Sequence, residues 1–330
     1  MMFNFPTIFS IGLALIFFGC KKNDNVQLAT LTTTELSSIS VKTAVSGGVI
    51  LKTGNSAISA QGVVWGTSPN PTTANNQIND NSKKGVYSCT LSSLSPNTKY
   101  YVRAYATNSE GTAYGNQLSF TTISGEFLNP NLSYGGMSDQ EGNNYATIIV
   151  GSQEWMAENL NATTFSNGDS IPHVITSTQW RSLNNVGAYS YPTFNQMQST
   201  AGVNLYNWFV ISDPRNICPT GWHVPSNDEW LILTDYLGGT DAGGKMKSIS
   251  GWNTPNVSAT NESGFSGLPA GYRNGEEGFF YSVGYQGAWW SSSNYNNFKA
   301  IGRTLFSNHG SVISVNEDKG TGMSIRCIRD

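Results

Sequence analysis

From Thr30 to Thr122, apolar and polar side chains alternate in short runs broken by turn residues. This period of two predicts β-strands. Residues 46–51 and 62–67 read as two of them. Pro69, Pro71 and the Asn-rich stretch to Asn81 read as a long connection, and Tyr87, Cys89 and Leu91 share one face of a further strand. Tyr100, Val102, Ala104 and Ala106 face one way, with Tyr101, Arg103 and Tyr105 opposite. Residues 108–111 then close a hairpin and 118–122 make the last strand. Short strands at this spacing predict a sandwich over residues 28–123. Residues 124–137, rich in Gly, Asn and Ser, read as a linker. Residues 145–150 and 154–157 read as hairpin arms around Gly151-Ser152. One helix stands out: Ser226 and Glu229 form a capping box, Trp230, Leu233 and Leu237 follow at helical spacing, and Gly238-Gly239 end it.

The chain opens differently. Residues 9–18 are almost wholly apolar and stop at Gly19-Cys20, followed by Lys21-Lys22. The run is short for a membrane span and reads as the core of a secretory signal. Its ending resembles a bacterial lipoprotein signal, which implies that residues 1–19 are removed and Cys20 is lipidated, leaving residues 20–27 as a tether. Two acyl chains and an acylated amine make a stable anchor. No Lys or Arg precedes the apolar run and Phe17-Phe18 stand where small residues are usual, so an ordinary signal peptide or an uncleaved anchor is the alternative. Each version places the rest of the chain outside the cytoplasm, where disulfides form.

Charged residues make up 12% of the 330 and the net charge is −3, which argues against a nucleic-acid partner and against an acidic disordered tail. With 9 Trp, 15 Tyr and 35 Gly, the chain suits a loop-rich surface over an aromatic core. The four cysteines, Cys20, Cys89, Cys218 and Cys327, contain no C-x-x-C. His173, His223 and His309 are not at ligand spacing, so no metal or other cofactor is expected from them. Cys89, on the inward face of its strand, reads as a buried free thiol.

Two resemblances organise the rest. Leu94-Ser-Pro96-Asn-Thr98-Lys-Tyr100 is similar to the tyrosine corner of fibronectin type III domains, where the phenol bonds to the turn backbone. Such domains most often serve as spacers. Further on come Gln153-x-Trp155-Met156-Ala157-Glu158-Asn159-Leu160, Leu205-Tyr206-Asn207-Trp208 and Cys218-Pro219-x-Gly221-Trp222-His223-Val224-Pro225-Ser226. Leu268-Pro269-Ala270-Gly271-Tyr272-Arg273, Trp289-Trp290-Ser291 and Gly322-Met323-Ser324-Ile325-Arg326-Cys327 come after them. Together they resemble the major paralogous domain described from Fibrobacter succinogenes, common in Bacteroidetes surface lipoproteins, over residues 138–330. That family is similar to the C-type lectin fold and to the formylglycine-generating, sulfatase-modifying domain. The resemblance implies a multi-domain chain, a β-sandwich followed by an α+β lectin-like domain with a few helices, a small twisted sheet and long loops.

The same resemblance implies roles for single residues. In an oxidising compartment Cys218 and Cys327 are expected to pair; the alternative is a catalytic thiol pair. Calcium is the metal the lectin resemblance leaves open, although no Glu-Pro-Asn or Gln-Pro-Asp triplet occurs. His223 reads as a hydrogen-bonded structural histidine and not a base. Trp289 and Trp290 are either a sugar-stacking platform or core. In residues 294–316 only Lys299 falls outside the set reachable by mutating the adenines of Asn codons. With Trp-Trp-Ser before it, Arg303 and Leu305 within it and a terminal Arg-Cys, the layout resembles variable proteins diversified by retroelements. Tyr285, Trp289, Asn294, Tyr295, Asn296, Phe298, Phe306, Asn308 and His309 are then the candidate contacts, of residue types that suit adaptable recognition. The expected role is adhesion: a lipid-anchored outer-membrane protein that presents a lectin-like domain at the cell surface to an extracellular glycan or protein, with no enzymatic activity. The competing readings are a self-associating structural component of the envelope and an enzyme of the sulfatase-modifying type.

Overall fold

The structure, a computed structural model, describes residue 1 and residues 27–82, 85–192 and 203–330. The expected signal peptide, Cys20 and nearly all of the tether lie outside the described residues. Among those described, no helix is long and apolar enough to cross a membrane.

Eight strands form the first unit: β1 (Thr30–Ser37), β2 (Ala44–Lys52), β3 (Ala60–Gly66), β4 (Asn76–Asn79), β5 (Val86–Leu91), β6 (Lys99–Asn108), β7 (Gly111–Tyr114) and β8 (Leu118–Thr121). One sheet runs β1-β2-β5. The other runs β4-β3-β6-β7, and β8 also pairs with β6. Inward residues of the two sheets, among them Leu31, Val63, Trp65, Cys89, Leu91, Val102, Ala104 and Phe120, make one core. Tyr87 ties the layers by donating from its hydroxyl to the carbonyls of Gly62 at 3.1 Å and Tyr105 at 3.0 Å. The expected corner forms: the Tyr100 hydroxyl accepts from the Ser95 amide at 3.0 Å. Burial pushes the Cys89 thiol up to about 11, which leaves it protonated and inert. The stretch read as one long connection contains β4. It is an edge strand with almost no buried side chain, held by backbone pairing to β3, so it carries no apolar signal.

The second unit begins earlier than expected, because residues 124–137 are not a free linker. Leu128 is buried in the second core, and the Phe127 carbonyl accepts from Ser248 Oγ at 2.9 Å. β9 (Gly135–Ser138) pairs with β10 (Asn144–Val150), which turns back into β11 (Gln153–Met156). Around them lie α1 (Ser177–Arg181), β12 (Tyr189–Ser190), β13 (Leu205–Tyr206), α2 (Trp208–Ile211), β14 (Trp222–His223), α3 (Asn227–Tyr236) and α4 (Ala242–Met246). Then come β15 (Tyr272–Arg273), β16 (Phe280–Tyr281), β17 (Gln286–Asn294), β18 (Lys299–Phe306), β19 (Val312–Asp318) and β20 (Ile328–Arg329). β20 slots between β11 and β14 in a sheet of order β14-β20-β11-β10-β9, so the unit's last strand closes against its first hairpin. The capping box on α3 is present: Ser226 Oγ accepts from the Glu229 amide at 3.3 Å, and Glu229 Oε2 accepts from the Ser226 amide at 2.7 Å.

Trp155, Trp230, Phe265 and Trp289 form the aromatic centre, with ring centroids 4.8 to 6.0 Å apart. The Arg326 guanidinium stacks on Phe265 at 3.9 Å and donates to the carbonyls of Met156, Phe265 and Ser266 and to Asn159 Oδ1. Wholly buried and, among the described residues, without an ion pair, it falls to about 9. Cys218 and Cys327 form a disulfide, both cysteines buried beside Met137, Tyr145 and Ile325.

Candidate functional site

β17, β18 and β19 form a three-stranded antiparallel meander near the end of the chain; of the contacts expected from the sequence, Trp289, Asn294 and Phe306 lie on its strands, Tyr295, Asn296 and Phe298 in the β17–β18 turn, Asn308 and His309 in the β18–β19 loop, and Tyr285 just before β17. Alternation along these strands sorts the residues into two faces. Gly287, Trp289, Arg303 and Leu305 turn inward. Gln286, Ala288, Thr304, Phe306, Val315 and Glu317 turn outward, Ala288 opposite Thr304 and Gln286 opposite Phe306.

Trp289 is therefore not a contact residue. It is 0% exposed, and its Nε1 donates to Asn159 Oδ1 at 2.8 Å. Trp290 is buried as well, donating to the Tyr206 carbonyl at 2.9 Å. The remaining candidates are exposed or half-buried, but they do not converge. Asn294, Tyr295, Asn296 and Phe298 form the tip of the β17–β18 hairpin, where Lys319 Nζ donates to the Asn297 carbonyl at 3.2 Å and lies 4.5 Å over the Trp208 ring. Tyr285, Phe306, Asn308 and His309 sit at the opposite end, where the Ser307 amide donates to the Tyr285 carbonyl at 2.8 Å and the Phe306 and His309 rings lie 5.1 Å apart. At about 3.3 Å per residue, the length of β17 separates the two groups by roughly 25 Å.

Between them lies a feature that sequence reasoning missed. The outward face is hollowed into a cleft of about 310 Å³, floored by small residues such as Ala288 and Thr304. One wall is the 272–276 loop, where Tyr272 stacks on Tyr281 at 5.7 Å; Thr321 and Met323 close the other side. Gly302 keeps the floor low, since a Cβ there would meet Met323 Cε at 2.7 Å. Glu276, Glu317 and Asp318 line the cleft and, among the described residues, no Lys or Arg does. Burial raises the Glu317 carboxyl, with Lys299 opposing and Asp318 reinforcing the shift. An acidic cleft with Tyr272, Phe306, Gln286 and Asn274 around it suits a neutral or cationic polar ligand and repels an anionic one.

A buried lysine shapes the end of this cleft. Lys247 Nζ donates to the carbonyls of Val257, Phe306 and His309 at 2.7, 2.9 and 2.9 Å, and burial lowers its ammonium to about 8. Three carbonyl acceptors match the three ammonium protons, so Lys247 pins the loop that carries Phe306 and His309.

His223 is structural, held between Asp330 at 2.7 Å and Glu229 at 2.9 Å. Burial opposes its charge, but hydrogen bonds to Asp330 and Glu229 outweigh that and raise the imidazole. The stabilising contribution is therefore full below its unfolded value of about 6.5 and disappears as pH rises through the higher folded value. Both partners are partly solvated, so His223→Ala should cost less than about 1 kcal/mol at pH 5.5 and less still at pH 8.5. Paired melting curves at the two pH values test this, and an equal effect at both would refute it.

Fold and cleft together define a fibronectin type III-like β-sandwich joined to a β-rich domain of several small sheets and few helices. Residues 148–329 match the Fibrobacter succinogenes major domain, and the chain belongs to that family. No curated protein matches the chain. Solved structures align with the sandwich at low overall scores. The fibronectin type III domain of human fibronectin type III domain containing protein 3 is 16% identical over 32% of this chain and 92% of its own, with TM-score 0.22. The chicken CNTN1 FN1–FN3 domains are 17% identical over 29% of this chain and 33% of theirs, with TM-score 0.24.

Proposed function

We propose that this is a lipid-anchored protein of the outer membrane, tethered through Cys20, whose sandwich serves as a spacer and whose last domain, of C-type lectin-like fold, binds an extracellular glycan or protein at the open face of β17–β19. The cleft on that face carries the reading: it is concave, lined by aromatic, amide and acidic side chains, and backed by a rigid aromatic core. The division of residues 294–316 also supports diversification of the loops. Arg303 and Leu305 are buried scaffold, whereas Tyr295, Phe298 and Asn308 are exposed and free to change; Asn296 is exposed too, but its Oδ1 accepts from the Phe298 and Lys299 amides and holds the turn. A thiol mechanism finds no support, because Cys327 is committed to a buried disulfide.

A glycan and surface-protein binding screen of the mature chain, with and without chelator, tests the proposal. Removing a ring at the centre of a contact costs about 1–2 kcal/mol or more. Phe306→Ala should thus weaken binding about tenfold, and Glu317→Gln should lower it further for a ligand with amine or hydroxyl donors. A glycan small enough for the cleft ignores Tyr295→Ala. A protein ligand, which covers about 800 Å² per partner, reaches both ends of the sheet and responds to Tyr295→Ala as well. Binding that survives both Phe306→Ala and Tyr295→Ala would sink the site. Self-association without any external ligand would favour the envelope-component reading.

A further inference from the structure

A second cavity, of about 280 Å³, lies where residues 124–128 dock onto the second domain, and it shares no lining residue with the cleft on β17–β19. Its chemistry centres on Glu158, from the Trp155-Met156-Ala157-Glu158-Asn159 run. One carboxylate oxygen, Oε2, accepts from the Ala146 amide at 2.6 Å. The other, Oε1, has no hydrogen-bond donor among the described residues. Protein surrounds the side chain on nearly all sides, yet it still meets solvent through the cavity mouth. Burial accordingly raises the carboxyl, with the Ala146 amide and the nearby Arg326 pulling it back.

Four asparagines line the same space. Both ends of the Asn159 amide are used, by Ser324, Trp289 and Arg326, whereas Asn143, Asn144 and Asn161 each have one end occupied. Asn143 Nδ2 donates to Asp139 Oδ2 at 2.9 Å, Asn144 Oδ1 accepts from Ser138 Oγ at 2.7 Å, and Asn161 Oδ1 accepts from the Asn204 amide at 3.1 Å. Among the described residues this leaves one carbonyl acceptor, Asn143 Oδ1, and two NH₂ donors, Asn144 Nδ2 and Asn161 Nδ2, unused beside an unused carboxylate oxygen. Phe127 and Leu268 supply an apolar wall.

These groups discriminate between ligand classes. Among the described residues no Lys or Arg lines the cavity, so they offer an anion no counter-charge there. Glu126, which is exposed, adds a second carboxylate, so a simple cation would find negative charge here but would leave two amide donors without acceptors. A hydroxyl both donates and accepts, and so it can use carboxylate, carbonyl and NH₂ at once. The volume falls just below the usual range for small-molecule sites, about 300–1,000 Å³, which favours one ring over a chain. We propose that this cavity holds a single neutral sugar ring, its hydroxyls shared among Glu158, Asn143, Asn144 and Asn161 and its apolar face against Phe127 and Leu268. Because residues 124–128 form one wall, the ring is gripped between the segment leaving the sandwich and the body of the second domain.

The test is calorimetric titration of the full-length chain in detergent with methyl glycosides of neutral hexoses and N-acetylhexosamines, their free sugars, glucuronate and methylamine. Glu158→Gln keeps the Ala146 bond through its carbonyl and replaces the free acceptor with a donor. Asn144→Asp keeps the Ser138 bond and replaces a donor with an acceptor. We expect at least one neutral glycoside to bind, and each variant to weaken it about tenfold or more with the melting curve unchanged, since each swap sets donor against donor or acceptor against acceptor. Equal binding of free sugar and methyl glycoside marks a chain end as the natural source; binding of the free sugar alone marks a solute. The absence of binding by every neutral sugar overturns the proposal, as does tighter binding of methylamine or glucuronate. Sugar binding lost in Phe306→Ala and kept in both Glu158→Gln and Asn144→Asp also overturns it, while leaving the β17–β19 cleft in place.

Discussion

Replacing Cys218 and Cys327 together with alanine should destabilise the second domain by about 3–5 kcal/mol, one of the two largest losses expected of any small change in this chain. The bond spans a sequence separation of 109 residues. In the chain-entropy account a loop of about a hundred residues is worth about 4.7 kcal/mol, and native disulfides in practice deliver about 2–5. Position adds to length. Cys327 immediately precedes β20, Cys218 lies just before β14, and these two strands pair through Trp222↔Arg329 and His223↔Ile328. The cross-link thus holds the chain end in its slot between β11 and β14. Both cysteines are fully buried, so the alanine pair also loses packing in the core around Ile217 and Ile325. For a domain of this size each kcal/mol moves the melting temperature by about 2–4 °C, so a drop of roughly 6–20 °C is expected. Reducing agent should produce the same drop in the native sequence and none in the double variant. A double variant that melts within about 2 °C of the parent would show that strand pairing alone holds β20.

Legibility of the fold followed burial. Strands buried on one face announce themselves: β5 alternates exposed and buried at every residue, and Tyr87, Cys89 and Leu91 are its buried set. Edge strand β4 has no fully buried side chain, and the two-residue pairs β12–β13 and β15–β16, though β12 and β13 are buried, are too short to make a pattern. The helix α3 was legible because its cap and its buried Trp230 and Leu233 lie on one segment. Helices α1, α2 and α4, of four or five residues each, are shorter than the apolar period needs. Residues 124–137 have a linker's composition, but their backbone groups are taken up by Ser248, which is distant in sequence, and by β10, which follows closely. The buried cations Lys247, Arg273 and Arg326 were invisible for a related reason. Their partners are mostly backbone carbonyls of remote loops, and carbonyls leave no trace in a sequence. The exposed hairpin tip of Tyr295, Asn296 and Phe298 was legible from residue type. The cleft was not, since it exists only where the 272–276 loop and Thr321–Met323 meet the meander.

Trp289 is where residue type misled most, and its truncation is the second large effect expected. Trp289→Ala should cost about 3–5 kcal/mol, the usual toll for deleting a buried aromatic ring. The ring has Phe265 edge-on at 5.7 Å and the Arg326 guanidinium at 5.7 Å. Gly267 and Gly287 are kept bare by it, because a Cβ on either would lie 3.1 or 2.3 Å from Trp289 Cη2. Close packing of this kind leaves little room for neighbours to collapse into the space. The indole nitrogen adds a second penalty: Asn159 Oδ1 accepts from Trp289 Nε1 at 2.8 Å and from Arg326 Nε at 2.9 Å, and truncation removes one of its two donors. Trp289→Phe separates the contributions, since it keeps most of the ring and loses the donor; a cost of about 1–2 kcal/mol is expected beyond the lost volume. Tyr295→Ala, at the exposed tip, should stay within about 0.5 kcal/mol of the parent. Denaturant unfolding of the three variants measures all of these on one scale. If Trp289→Ala proved as stable as the parent while binding changed, the indole would belong to the ligand surface after all, and the inward face of β17 would have to be assigned anew.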